Sequence, residues 1–164
     1  MKTRTLRSVV YLAAGIGLIV SLFAAAEIID AALLKICTVN TFVSCAAVAQ
    51  SGKTTTFGIP DYLVGIGGFI LIIIFNGVGE RRPEHKAWVW ALLALTTVGV
   101  AYSAWLLYVE LVLIGAICLV CASAYVMGIV AWAGAIGLVR ARPTETRPRG
   151  SKSTDVGVGL DSVG

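Results

Sequence analysis

The sequence predicts an all-α membrane protein, a four-transmembrane-helix bundle with an extracytoplasmic cysteine loop between helices 1 and 2. Three observations carry that prediction. Of 164 residues, 58% are hydrophobic and only 13% charged, more apolar surface than a soluble chain can hide. The apolar residues fall in long runs and not in amphipathic stripes, the pattern of helices that cross a bilayer. The thirteen Lys and Arg gather at the ends of those runs and in the tail, so the net charge of +4 reads as membrane orientation and not as nucleic-acid binding.

The first span is expected over residues 8–34, after a basic start with Lys2, Arg4 and Arg7, interrupted only by Glu27 and Asp30. At 1.5 Å per residue that is about 40 Å of helix, enough to cross with a projecting end. A cleaved signal peptide competes, since Ala24-Ala25-Ala26 resembles a cleavage site, but the apolar run is long for a signal. Residues 35–58 form a Thr, Ser and Gly containing loop that is too polar to span and holds Cys37 and Cys45. The second span is expected over 59–79, with Pro60 in its first turn, where proline is tolerated. A charged turn at 80–86, containing His85, separates it from the third span, 87–114. Gly115 and Ala116 break the pattern, so the fourth span is placed at 116–139. Residues 1–139 are thus the membrane domain, and the Pro, Arg, Ser and Gly rich residues 140–164 read as a disordered cytoplasmic tail.

Charge then sets orientation. Eleven of the thirteen basic residues lie in the N-terminal segment, the 80–86 turn and the region from Arg140 onward, leaving Lys35 and Lys53 for the opposite side. Short basic loops stay in the cytoplasm. Both termini are therefore expected there, in a multi-pass protein of the cell membrane. All four cysteines then converge on the extracytoplasmic face, a compartment that permits disulfides.

Cys118-Leu119-Val120-Cys121 places two thiols at i and i+3, on one helix face, close enough to bridge or to act together. A helix N-terminus favours the thiolate, and thiolate is what disulfide exchange needs. The bland alternative is a pair of buried cysteines serving as small apolar residues. A zinc site needs about four N or S ligands, and the one histidine lies at the far end of the preceding run, so no metal is expected.

The order of these features resembles the vitamin K epoxide reductase family in its short prokaryotic form, over roughly residues 9–139. The resemblance is carried by Cys37 and Cys45, by Ser51 six residues later, and by Phe57-Gly58-Ile59-Pro60. Tyr108-Val109-Glu110 before the Cys118/Cys121 motif and Tyr125 four residues after it complete the pattern. It implies a DsbB-like, quinone-dependent enzyme that reoxidises a separate thioredoxin-like (DsbA-like) extracytoplasmic partner, the tail being too short for a fused thioredoxin domain. It further implies that Cys37 exchanges with the partner, Cys45 hands over to Cys118, and Cys121 faces a membrane quinone of menaquinone or ubiquinone type. Ser51 and Tyr125 are implied as hydroxyls supporting the loop and the quinone oxygen. Asp61 aligns with a family Asn that bonds the quinone, although a carboxylate donates only when protonated; it also suits the positive end of its helix. Glu27, Asp30 and Glu110 read as solvated helix ends, and Trp88, Trp90, Trp105 and Trp132 as anchors or packing residues. Two other readings stand beside this one: reduction of vitamin K epoxide itself, and a non-enzymatic four-helix scaffold with structural disulfides.

Overall fold

The computed structural model describes residues 2–30, 32, 37–52, 55–56, 58–81 and 86–141. Four long helices make up the body: α1 (Lys2–Ile29), α3 (Asp61–Arg81), α4 (Ala87–Tyr108), which continues as a π-helical turn over Val109–Ile114, and α5 (Leu119–Ala141). A short α2 (Cys45–Gln50) and a two-residue hairpin, β1 (Thr55–Thr56) with β2 (Ile59–Pro60), lie in the connection between α1 and α3. Among the described residues, four spans are long and apolar enough to cross a membrane. Helix is the form these sequences must take there, because it satisfies every backbone N–H and C=O within the segment.

The helices form a ring in which α1 packs on α5 and α3, and α4 closes it against the same two. The core along this ring is Val10 and Ala14 of α1, Phe69 and Ile72 of α3, Val89 and Leu92 of α4, and Ala135 and Leu138 of α5. Apolar side chains such as Leu12, Ile19 and Leu22 face outward, as lipid-facing residues do. Small residues permit the α1–α5 contact. A methyl group on Gly134 would stand 2.6 Å from Val10 Cγ2, so Gly134→Ala forces the two helices apart.

At the end of the bundle that carries the N-terminus, Arg7 ties α1 to α3. Its guanidinium donates to Asn76 O (2.7 Å) and Gly79 O (2.7 Å), while Asn76 Nδ2 donates back to Arg7 O (3.2 Å). These carbonyls belong to the last turns of α3, where a helix has unsatisfied acceptors and a cation is favoured.

Three helix starts differ from the sequence expectation. Helix α1 begins at Lys2 and not near residue 8, because hydropathy is blind to a helical end that projects beyond the apolar zone. Pro60 is not in a helical turn. It pairs with Thr55 in the hairpin, and α3 starts at Asp61; proline is tolerated in an edge pairing as readily as at a helix start. Helix α5 starts at Leu119 and not at 116, since Gly115 adopts φ 74° and Ile117 pairs with the outer loop. Lys35, Lys53, Phe57, His85 and the tail from residue 142 lie outside the described residues.

Candidate functional site: two cysteine pairs at a membrane cavity

The outer loop is built around a short turn. The Asn40 side chain accepts from the N–H groups of Phe42 (2.9 Å) and Val43 (2.7 Å), an Asx-type arrangement that reverses the chain. Val43 then forms a parallel bridge with Ile117: Ile117 N–H donates to Phe42 O (2.8 Å) and Ser44 N–H to Ile117 O (3.1 Å). Ser44 caps α2, its hydroxyl accepting from Ala47 N–H at 3.1 Å, so the chain enters helix at Cys45. Cys45 is bridged to Cys37, with Cα atoms 5.6 Å apart.

The bridge brings the loop against the start of α5. Cys45 and Cys118 are 2% and 4% exposed, and their sulfurs are 3.3 Å apart. Cys118 occupies the N-cap of α5: its carbonyl accepts from Ala122 N–H and its sulfur from Cys121 N–H, at 2.9 and 3.2 Å. A sulfur that accepts a helix-start N–H carries negative charge more easily. The hydrogen bond from the Cys121 thiol holds Cys118 below the ordinary thiol range, against the opposing effect of burial. Cys118 and Cys121 are both free thiols.

Behind them sits Glu110, in the π-helical turn. That turn ends at left-handed Gly115, whose N–H returns to Glu110 O at 2.9 Å. Widened geometry of this kind re-aims a side chain within a helix and marks functional sites often. Glu110 is 3% exposed. Its Oε2 accepts from Cys118 N–H (3.2 Å) and its Oε1 from the Tyr125 hydroxyl (2.8 Å). One carboxyl therefore links the Cys118 backbone to Tyr125, one turn beyond Cys121.

These groups border a cavity of about 560 Å³ inside the ring, lined mainly by apolar side chains such as Val64, Phe69 and Leu95. Cys45, Cys118, Cys121, Glu110, Tyr125 and Asp61 also line it, as does Glu27. Asp61 accepts from the Tyr102 hydroxyl at 2.6 Å, joining α3 to α4 across the wall. Ser51 is not among the lining residues; its hydroxyl donates to Val48 O (2.7 Å) at the end of α2. Of the seven residues the sequence nominated, Cys37, Cys45, Cys118 and Cys121 come together in one cluster, Tyr125 and Asp61 border the same cavity, and Ser51 supports the loop.

Two acids depart from expectation. Glu27 and Glu110 are buried, at 4% and 3% exposure, while Asp30 is exposed. The signal that would have found them is an ionisable residue deep within or at the inner edge of a long apolar run, which by default belongs to a site. Among the tryptophans, Trp88 packs on Phe75 with ring centroids 5.8 Å apart, and Trp132 Nε1 donates to Thr97 Oγ1 at 3.0 Å. The sulfurs of Cys37, Cys45 and Cys118 lie within 4.8 Å of one another. Two of the three are in a disulfide, and a metal is held by thiolates, so the grouping is that of a bridge with a third sulfur set against it.

Residues 8–136 match the model of the Vitamin K epoxide reductase family. No curated protein matches the chain.

Proposed function

The chain belongs to the vitamin K epoxide reductase family, and from that premise we propose that it is a quinone-dependent oxidoreductase that makes disulfides in a thioredoxin-like extracytoplasmic partner. The observation that carries the proposal is the 3.3 Å separation of Cys45 Sγ and Cys118 Sγ. It sets one pair against the other at the edge of an apolar cavity, the arrangement a relay needs and a structural staple does not.

The thiol chemistry balances as follows. A partner thiolate attacks Cys37, and Cys45 leaves as thiolate. Cys45 attacks Cys118 of an oxidised Cys118–Cys121 pair, and Cys121 leaves. The partner's second thiol closes its own disulfide and releases Cys37, which attacks Cys45 and frees Cys118. The loop bridge is thereby remade, and two electrons rest on Cys118 and Cys121. This is the state described above, with the loop pair bridged and the helical pair free. Exchange of this kind runs through thiolates, which favours Cys118 at its helix N-terminus. Val39 and Phe42, both exposed and apolar, lie in the same loop as Cys37 and suit a docking protein.

The cavity fits a quinone. Its volume lies in the range of small-molecule sites, its walls are mainly apolar, and Cys121, Glu110 and Tyr125 line it together. A bound quinone supplies the capacity to take two electrons and two protons as the Cys118–Cys121 disulfide is remade. Cys121 and Tyr125 would face the ring, with Asp61 held by Tyr102 at the wall. The basic residues favour an orientation with both termini in the cytoplasm and the cysteines outside.

The test uses purified protein, a reduced thioredoxin-like protein and a short-chain quinone, followed by quinone absorbance. The expected result is quinone consumption that Cys121→Ser abolishes. Unchanged consumption in Cys121→Ser removes that cysteine from the mechanism, and no consumption by the unaltered protein overturns the proposal.

A further inference from the structure

Glu27 sits on α1, 4% exposed, and lines the same cavity as the thiols. Among the described residues, its Oε1 is the buried side-chain oxygen left without a hydrogen-bond partner. Such an atom is costly in an apolar surrounding, and a bare carboxyl within a membrane span marks a site. Glu110, by contrast, has both oxygens engaged by Cys118 N–H and the Tyr125 hydroxyl. Glu27 is within electrostatic reach of Cys118 and Cys121. Glu27 thus lines, with an orphaned oxygen, the same cavity in which the acceptor of their electrons is proposed to lie.

We propose that Glu27 is a catalytic residue that hydrogen-bonds a ring oxygen of the bound quinone and exchanges a proton with it, an inference that rests on the reading above. The match is chemical. A quinone oxygen only accepts hydrogen bonds, whereas the hydroxyl of the quinol also donates. A carboxyl donates when protonated and accepts when ionised, so one side chain serves both redox forms and moves one proton between them. Glu27 gives its proton to one ring oxygen and is reset by one of the two protons that Cys118 and Cys121 release. Across the whole step two S–H bonds break, one S–S bond forms and two O–H bonds form. Glutamine fills the same space but neither gives nor takes a proton.

Two measurements test this. The first compares infrared spectra of the purified protein with a short-chain naphthoquinone and with its quinol, in unaltered, Glu27→Gln and Glu27→Asp forms. The unaltered protein is expected to show a carboxyl band that changes between the two, absent from Glu27→Gln and moved in Glu27→Asp. The second is steady-state turnover. Glu27→Gln is expected to lower kcat about 100-fold, the scale of a lost proton-transfer group, with little change in KM and with unaltered exchange between Cys45 and Cys118. An unchanged band and kcat in Glu27→Gln, while the unaltered protein reduces quinone, overturn this inference alone. An unaltered protein that reduces no quinone overturns the parent reading and this inference with it. Should Glu27→Gln fail to fold, Glu27→Asp decides: an unmoved carboxyl band overturns the assignment.

Discussion

The double variant Cys37→Ser, Cys121→Ser leaves Cys45 and Cys118, whose sulfurs stand 3.3 Å apart. Closing a disulfide brings them to about 2.05 Å, a movement of about 1.3 Å that rotation about the Cα–Cβ bonds supplies. Removing the loop disulfide does not free the loop, because Ile117 N–H to Phe42 O and Ser44 N–H to Ile117 O still hold it. Each such bond contributes about 1 kcal/mol. Adding Ile117→Pro deletes the first donor and should lower the population of the docked loop, and with it the trapping rate, by about fivefold. The assay is oxidation for fixed times, alkylation and non-reducing gel mobility, where an internal bridge gives a faster, reducible band. The control Cys45→Ser, Cys121→Ser keeps Cys37 and Cys118, whose sulfurs lie within 4.8 Å. It is expected to join more slowly, since a longer approach must be made with the loop displaced. Absence of any bridge in the test variant, with both thiols still open to alkylation, would refute the relay; equal rates in test and control would refute the assignment of Cys45 as the residue that hands over.

Glu110→Ala leaves a buried donor, Cys118 N–H, without an acceptor, at about 1–3 kcal/mol, and the half-buried Tyr125 hydroxyl without its partner. Its melting temperature in detergent should fall well below that of Glu110→Gln, which keeps an acceptor oxygen; equal melting temperatures would show that the carboxyl does not hold this corner together. The Cys118 thiol lies below the ordinary range because of Cys121, so its thiolate forms at a lower pH than that of an ordinary thiol and is lost as pH falls through that point. Ultraviolet thiolate absorbance should titrate accordingly, and Cys121→Ala should move the midpoint upward; a midpoint indifferent to this change would contradict the hydrogen bond from the Cys121 thiol. Reporter fusions after Lys53 should report outside, and fusions after Lys86 or Gly150 inside. A cytoplasmic signal after Lys53 would reverse the orientation on which the choice of partner depends.

The four spans were legible because each is an apolar run long enough to declare itself without any tertiary information, and the third was placed at 87–114, where a continuous helical stretch does run. The cysteines were legible as chemistry because two pairs converge once the spans are drawn. The contact between Cys45 and Cys118 was not, since it depends on the pairing of Val43 with Ile117, which are 74 positions apart in sequence and carry no local signal. Glu110 was misread for a related reason. In a regular helix an acid near the end of an apolar run turns outward to water, and only the widened turn over Val109–Ile114 brings it inside. Pro60 fits a helix start and an edge pairing equally well, so sequence alone had no means to choose between them.

The bridge between Val43 and Ile117 is made by backbone groups, so once Asn40 and Ser44 have set the turn the exposed side chains of the loop are not needed to keep Cys45 beside Cys118. Exposed Val39 and Phe42 can change while the sulfur contact beneath stays intact. The outer face of the loop and the sulfur contact are thus insulated from each other within a few residues of chain. Under the proposed function, such a joint lets the docking face vary from one partner to the next without disturbing the thiols beneath it.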